Sequence, residues 1–394
     1  MRMFAFIVIY VACTPYATAV AADVLSTTAH RTSSSSFARA ALADAGVPPL
    51  LAKWRVAGAG IAVIRGYRVI WTGYYGEQGP GVPASSNTMF NTASVAKSIT
   101  AETVLRLVAQ GRLSLDEPIA KFYSEPDLAG DARYAKLTPR LILIHESGLL
   151  NWSYNYKDKK LAFVADPGVR FGYSGAAFDI LAKFLEKKLG VDFETLVRTT
   201  LFNPIGMQSI SMSRRDLIDS RVTTPMNADG AYEAPYTTTQ PDWHHGSWSA
   251  ASDLYVSIED YAKFLISVMR QEGMTPALTA DRWRVQSSFA GAREWECFAA
   301  PSVTCPDPYG FGLGYLVFDY KDAKFIWAGG NDSGENALAY FSSNAPGDAV
   351  IVFVNGGNGI YATTDIIDLV DPTQKLAAYF RQLIDRQLQA KPVK

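Results

Sequence analysis

The hydrophobic residues near the start of the chain follow the pattern of two β-strands. Residues 58–64 and 67–74 are rich in valine, isoleucine, tyrosine and tryptophan, and Gly66 lies between the two runs. β-Branched and aromatic residues favour strands, and glycine tolerates the backbone conformation of a tight turn. The pattern predicts a hairpin, preceded by a helix over residues 37–53 and followed by a loop over residues 76–87.

The middle of the chain has helical spacing instead, with apolar residues every three or four positions. Thr138-Pro139 is a typical helix start, and Gly111 and Gly190 are typical helix ends. Helices are predicted over residues 94–110, 137–148, 174–189 and 257–271.

After Pro306 the pattern returns to strands and ends in an amphipathic helix. The predicted strands cover residues 312–319, 323–328, 337–342 and 349–355, and the helix covers about 372–390. Strands from both ends of the chain would then complete one sheet around a helical region. The expected fold is α/β (α+β in some schemes): a mostly antiparallel sheet flanked by helices, with a helical subdomain. We expect one catalytic domain over residues 37–394, with the helical insert at about 115–250.

The first residues have the three parts of a secretory signal peptide. Arg2 precedes an apolar run from Met3 to Cys13, and Ala19-Val20-Ala21 fits a signal-peptidase site. The apolar run is too short to cross a bilayer, which needs about 20 residues. We therefore expect a signal peptide over residues 1–21, a flexible leader over 22–36, and an exported, periplasmic or secreted protein without a stable membrane span. A buried N-terminal strand is the alternative.

Composition narrows the class of protein. Of 394 residues, 37 are Lys or Arg and 38 are Asp or Glu, so the formal charge of −1 disfavours broad binding to nucleic acid. The 3 cysteines and 4 histidines leave little for a metal site, and we expect no metal and no cofactor. Without the signal peptide, Cys297 and Cys305 remain, and in an exported protein they either form a small-loop disulfide or stay free thiols.

One Ser-x-x-Lys sequence offers candidate chemistry. Ser94 and Lys97 lie at the start of a predicted helix, where positions three apart share one face. A serine needs a neighbouring base to act as a nucleophile at neutral pH, and a lysine serves where its surroundings favour the neutral amine. Ser-x-x-Lys also arises by chance, with a capping serine and a solvated lysine.

Two further segments strengthen this hypothesis. Tyr173 lies in a loop before the third predicted helix, where a tyrosine can transfer protons or simply pack. The residues from Trp327 to Asn331 follow an apolar strand that could present a backbone N–H to an oxyanion.

These three elements, in this order, resemble the serine β-lactamase and penicillin-binding-protein superfamily. The resemblance is strongest to the class C β-lactamase branch with its family VIII carboxylesterases. It extends over segments 88–97, 108–118, 137–149, 167–175, 204–207 and 260–264 and the run from Trp327. It implies a β-lactamase/transpeptidase-like fold, Ser94 as acylated nucleophile, Lys97 as its base partner and Tyr173 as proton relay. The implied oxyanion hole combines the Ser94 N–H with a strand N–H near Asn331.

The sequence departs from the family pattern at two candidate substrate-binding positions. The tyrosine motif usually ends in asparagine, but this chain has Gly175. The third motif usually begins with a lysine or histidine, and here the matching residue is either Trp327 or Ala328, followed by Gly329 and Gly330. Either alignment removes the cation that helps to hold a substrate carboxylate.

The missing cation favours a serine hydrolase acting on small esters or amides. A β-lactamase or D-alanyl-D-alanine carboxypeptidase acting on a peptide is the alternative, and a non-catalytic relative that binds cell-wall fragments is a second. His145 is interpreted as a structural histidine rather than a base, because Lys97 supplies that role. The aromatic segment 243–248 either lines the pocket mouth or packs as a loop.

Overall fold

The computed structural model describes residues 42–212, 220–233, 248–300, 303–371 and 373–390. The predicted signal peptide and leader, and residues 243–247 of the aromatic segment, lie outside these ranges. Trp248 lies inside them, is buried, and packs against Phe193 with ring centroids 4.9 Å apart. Among the described residues, no helix is long and apolar enough to cross a membrane.

Strands from the two ends of the chain form one nine-stranded antiparallel sheet. Its strands are β1 (Gly58–Arg65), β2 (Arg68–Gly79), β3 (Val82–Pro83), β7 (Ser287–Ser288), β8 (Tyr309–Phe311), β9 (Leu316–Tyr320), β10 (Ala323–Asn331), β11 (Glu335–Ser342) and β12 (Ala349–Asn355). The spatial order is β3-β2-β1-β12-β11-β10-β9-β8-β7. A second, three-stranded sheet contains β4 (Phe90–Asn91), β5 (Ile210–Ser211) and β6 (Tyr255–Val256), in the order β4-β6-β5. The predicted joining of strands from both chain ends is confirmed by the pairing of β1 with β12.

Helices cover both faces of the large sheet. They are α1 (42–54), α2 (Ala96–Ala109), α3 (Pro139–Leu143), α4 (Gly175–Leu189), α5 (Phe193–Val197), α6 (Ile258–Met269), α7 (Pro276–Arg282), α8 (Gly359–Val370) and α9 (Lys375–Ala390). Alternate residues of a strand point to opposite faces. Ile351 and Phe353 accordingly join a core with α2, α4 and α6, and Val350 and Val352 join a second core with α1, α8 and α9. We call these the inner and outer faces of the sheet.

Several predicted boundaries were wrong for identifiable reasons. The helix predicted over 137–148 ends at Leu143, because His145 and Gly148 adopt left-handed conformations with φ of 57° and 78°. The segment predicted as a loop after residue 76 contains the end of β2 and all of β3. The strand predicted from residue 312 begins at Leu316, after a turn. Helix α8 was not predicted.

Candidate active site

Ser94 lies in a tight turn directly before helix α2. The turn, Ala93–Val95, is a 3-10 helix, and Ala93 has a φ of 45°, which is unusual for a residue with a side chain. Asn91 stabilises this turn from both sides: its Oδ1 accepts a hydrogen bond from the Ala93 N–H at 3.1 Å, and its Nδ2 donates to the buried Glu335. The Ser94 hydroxyl therefore sits at the N-terminal end of a buried helix on a braced backbone.

Lys97 follows one helical turn later and contacts Ser94 directly. Its Nζ lies 3.0 Å from Ser94 Oγ and 2.9 Å from the Ala251 carbonyl oxygen. The side chain is only 4% exposed, and its Nζ also lies over the Tyr173 ring, 4.7 Å from the ring centroid. The structure thus brings Ser94, Lys97 and Tyr173 together.

Tyr173 is held between aromatic side chains. His145 stacks on it with centroids 4.3 Å apart, and Trp295 stacks at 5.7 Å. Burial and the nearby Lys97 charge hold the pKa of His145 well below its usual value, and its Nδ1 accepts the Ser174 N–H at 3.2 Å. A neutral, buried, hydrogen-bonded imidazole fits the structural interpretation of His145.

Trp295 lies two residues before a loop that a disulfide closes. Cys297 and Cys305 are bonded, which confirms the disulfide alternative for this pair. The ring of Trp295 also contacts Phe171 and Phe289, so these three side chains form an aromatic wall beside Tyr173.

Strand β10 passes close to the backbone of Ser94. A Cβ at Gly330 would lie 2.1 Å from the Thr92 carbonyl oxygen and 2.8 Å from the Ser94 nitrogen, so any side chain here would force the strand and the turn apart. Because Trp327 points to the outer face and Ala328 to the inner, Ala328 occupies the cation position when Gly330 marks the close approach. The geometry therefore favours the Ala328 alignment of the third motif over the Trp327 alignment.

The Asn331 N–H faces the open edge of β10. The Asp332 N–H donates to the Glu335 carbonyl on β11, and hydrogen-bonded pairs alternate with non-bonded pairs in an antiparallel ladder. The neighbouring Asn331 N–H therefore points away from β11, toward the side where the pairing of β10 with β9 goes no further than Trp327 and Leu316. The side chain of Asn336 donates to the Gly330 carbonyl and to Asn331 Oδ1, which fixes this edge.

Gly175 lies behind the cavity wall. Its N–H donates to Asn151 Oδ1 at 2.8 Å, and a Cβ there would meet the Trp152 ring at 2.4 Å. Asn151 lines the cavity in front of it. The sequence pattern did not single out Asn151 or Ala251, because both reach the site through contacts that no local motif encodes.

Asp179 supports the segment that contacts Lys97. Its Oδ1 accepts hydrogen bonds from the Ser249 hydroxyl and the Ala250 N–H, two residues and one residue before Ala251. Burial, with a smaller contribution from Asp253, raises the pKa of Asp179 to about 7.

The chain is similar to several known proteins. A family model described as Beta-lactamase matches residues 43–367. Esterase EstB of Burkholderia gladioli is 26% identical over 328 residues, which cover 70% of this chain and 79% of that protein. Putative beta-lactamase-like 1 of Homo sapiens is 25% identical over 238 residues, which cover 54% of this chain but only 46% of that protein.

The fold is also similar to a solved structure. The octameric penicillin-binding protein homologue from Pyrococcus abyssi has a TM-score of 0.67 and 20% identity, covering 86% of this chain and 80% of that chain. The expected β-lactamase/transpeptidase-like fold is thereby confirmed.

Proposed function

The chain belongs to the Beta-lactamase family, and on that premise we propose that it is a serine hydrolase that cleaves carboxylic esters through an acyl-enzyme on Ser94. The observation that carries the proposal is the 3.0 Å contact between Lys97 Nζ and Ser94 Oγ in a buried site. A nucleophile and its base within hydrogen-bond distance are the minimum that acyl transfer requires.

In the acylation step, Ser94 Oγ forms a bond to the acyl carbon as its proton passes to the Lys97 amine. The carbonyl oxygen becomes an oxyanion, for which the Ser94 and Asn331 N–H groups are the proposed donors. The bond to the leaving alcohol then breaks, and the alkoxide takes a proton by way of Tyr173. Water attacks the acyl-enzyme by the reverse proton path, releasing the acid and restoring the Ser94 hydroxyl.

The charges around the cavity support esters over substrates with a carboxylate. Among the described residues that line the cavity, Lys97 is the one basic side chain, no arginine is present, and the exposed Glu294 adds a negative charge. Ala328 at the usual cation position offers a carboxylate no ion pair. Penicillins and D-alanyl-D-alanine peptides therefore lose an anchor that a small neutral ester does not need.

The test compares three substrates with one matched variant. Wild-type protein should hydrolyse p-nitrophenyl acetate with a rate that disappears in Ser94→Ala, while Ser98→Ala, one turn further along α2, controls for loss of a nearby hydroxyl. Nitrocefin and a D-alanyl-D-alanine peptide should be turned over much more slowly. Fast nitrocefin or peptide turnover would instead support the β-lactamase or peptidase alternative. A folded protein with no turnover and no covalent adduct would support the binding protein.

We also propose that residues 1–21 are removed on export, leaving the domain from about residue 37 onward as the catalytic unit. Mass spectrometry of the protein recovered from the periplasm or medium tests this directly. A mature N-terminus at Ala22 is expected, and an intact Met1 in the exported protein would contradict it.

A further inference from the structure

One cavity of about 380 Å³ extends from Ser94 through the sheet to its outer face. The passage exists because the pairing of β9 with β10 ends at Leu316 and Trp327, so the last residues of β10 have no neighbour on that side. Gly329 lies at this opening and has no side chain to close it. We call the part of the cavity on the outer face the rear arm.

The rear arm is apolar along most of its wall. It is lined by side chains of β10, β11, α8 and α9: Trp327, Leu338, Ile360, Thr363, Phe380 and Leu383. The charged residues that line the described cavity, Lys97 and Glu294, are in its front part, beside Tyr173 and Trp295. A charged group would lose its hydration in the rear arm without gaining an oppositely charged partner, whereas an alkyl chain would gain from leaving water.

We propose that the rear arm binds an unbranched, uncharged alkyl chain of the ester and so sets the enzyme's chain-length preference. This inference rests on the proposed ester hydrolysis at Ser94. A Cβ at Gly329 would already lie 3.1 Å from the Trp327 ring, so the opening beside this glycine is narrow and suits a straight chain better than a branched or cyclic one. Each methylene that enters such a site contributes about fourfold to kcat/KM, since its burial is worth about 0.8 kcal/mol.

Two substrate series tell which part of the ester supplies the chain. In p-nitrophenyl esters the acyl chain is lengthened from acetate to octanoate, and in acetate esters of linear alcohols the alcohol is lengthened instead, with acid release followed by titration. We expect kcat/KM to rise about fourfold per methylene in one of the two series until the arm is full. Branched esters of equal carbon number should gain less.

Variants of Leu383 test whether the alkyl chain binds in the rear arm. Leu383→Trp shortens the arm and should lower the hexanoate-to-acetate ratio of kcat/KM about 16-fold if it displaces two methylenes. Leu383→Ala lengthens the arm and should raise the octanoate-to-hexanoate ratio, which keeps the test valid if the tryptophan variant misfolds. If the alcohol series is the one that responds, the same ratios are measured there.

Leu369→Ala is the matched control. Leu369 is also half-buried on a neighbouring helix, α8, but its side chain packs beside Gly46 and not on the cavity. The Leu369→Ala variant should have the same chain-length selectivity as the wild type. If kcat/KM did not change with chain length in either series, or if the Leu383 and Leu369 variants had equal chain-length selectivity, the inference would be overturned. Acetate turnover that depends on Ser94 would still leave the proposed function intact in that case. Absence of acetate turnover would defeat the proposed function itself.

Discussion

Gly330→Ala should disable the enzyme while adding a single methyl group. The new Cβ would lie 2.1 Å from the Thr92 carbonyl oxygen and 2.8 Å from the Ser94 nitrogen, where real contacts are longer than 3.0 Å. Strand β10 and the Ser94 turn must therefore separate by about 1 Å, a displacement that can cost about 100-fold in rate when it affects reacting groups. The separation also moves apart the two N–H groups proposed to hold the oxyanion.

The expected loss in kcat/KM for p-nitrophenyl acetate is about 100- to 1,000-fold, comparable to removing one oxyanion donor. Gly329→Ala is the matched comparison, because its Cβ would meet only the edge of the Trp327 ring, at 3.1 Å. Gly130→Ala, with no atom within 4 Å of the new methyl group, controls for the glycine-to-alanine change itself. Thermal unfolding of all three variants separates a local effect from misfolding.

A folded Gly330→Ala enzyme with activity within about threefold of the wild type would refute the close approach of β10 to Ser94, since a displaced oxyanion hole cannot retain that rate. An equal loss in Gly329→Ala would show that the effect does not arise at the Ser94 backbone. That second result would also revive the Trp327 alignment of the third motif.

Three further predictions address the base, the core and the pH dependence. Lys97→Ala should lower kcat for p-nitrophenyl acetate at least 100-fold, and near-wild-type turnover would refute its proposed role. Glu102→Gln should lower the free energy of unfolding by about 3–5 kcal/mol in urea titrations, because it leaves Arg282 without the fully buried carboxylate 2.7 Å away. Asp179→Asn should change how stability depends on pH. The native pKa of Asp179 is raised from 3.8 to about 7, so its contribution is full below about pH 4 and lost as pH rises through 7. The stability of the wild type relative to Asp179→Asn should fall across this range in urea titrations, and parallel curves would contradict the raised pKa.

The parts of the fold that follow from local sequence were predictable. Ser174 and Gly190 define α4 because the serine side chain caps the first turn and the glycine adopts a φ of 68° at the end. Helix α8 was missed because its threonines and isoleucines have low intrinsic helix propensity, and its helical state depends on packing against β11 and β12. Helix α8 therefore forms because of tertiary contacts, which the periodicity of the sequence does not reveal.

The same division applies to the site. The contact of Lys97 with Ser94 follows from three-residue spacing on one helix, so the sequence was sufficient to predict it. The contact of Lys97 with Ala251 joins residues 154 positions apart and depends on how the segment after Trp248 folds back over α2. The direction of the Asn331 N–H likewise depends on the pairing of β10 with β11, and the absence of a strand opposite it depends on where the pairing with β9 ends.

A short run on β10 connects the proposed chemistry with the proposed selectivity. Gly330 permits the strand to approach Ser94, Ala328 leaves the site without the usual cation, and Gly329 leaves the edge open to the rear arm. A lysine at position 328 would restore a carboxylate anchor but would also bring a charge to the entrance of an apolar passage. Without the cation, an alkyl chain can enter the rear arm past an uncharged residue. A cation that bound a substrate carboxylate would stand at the entrance to the rear arm and oppose the entry of that chain. Ala328→Lys should then raise turnover of substrates with a carboxylate while lowering the gain per methylene, and a variant that raised both would break this link.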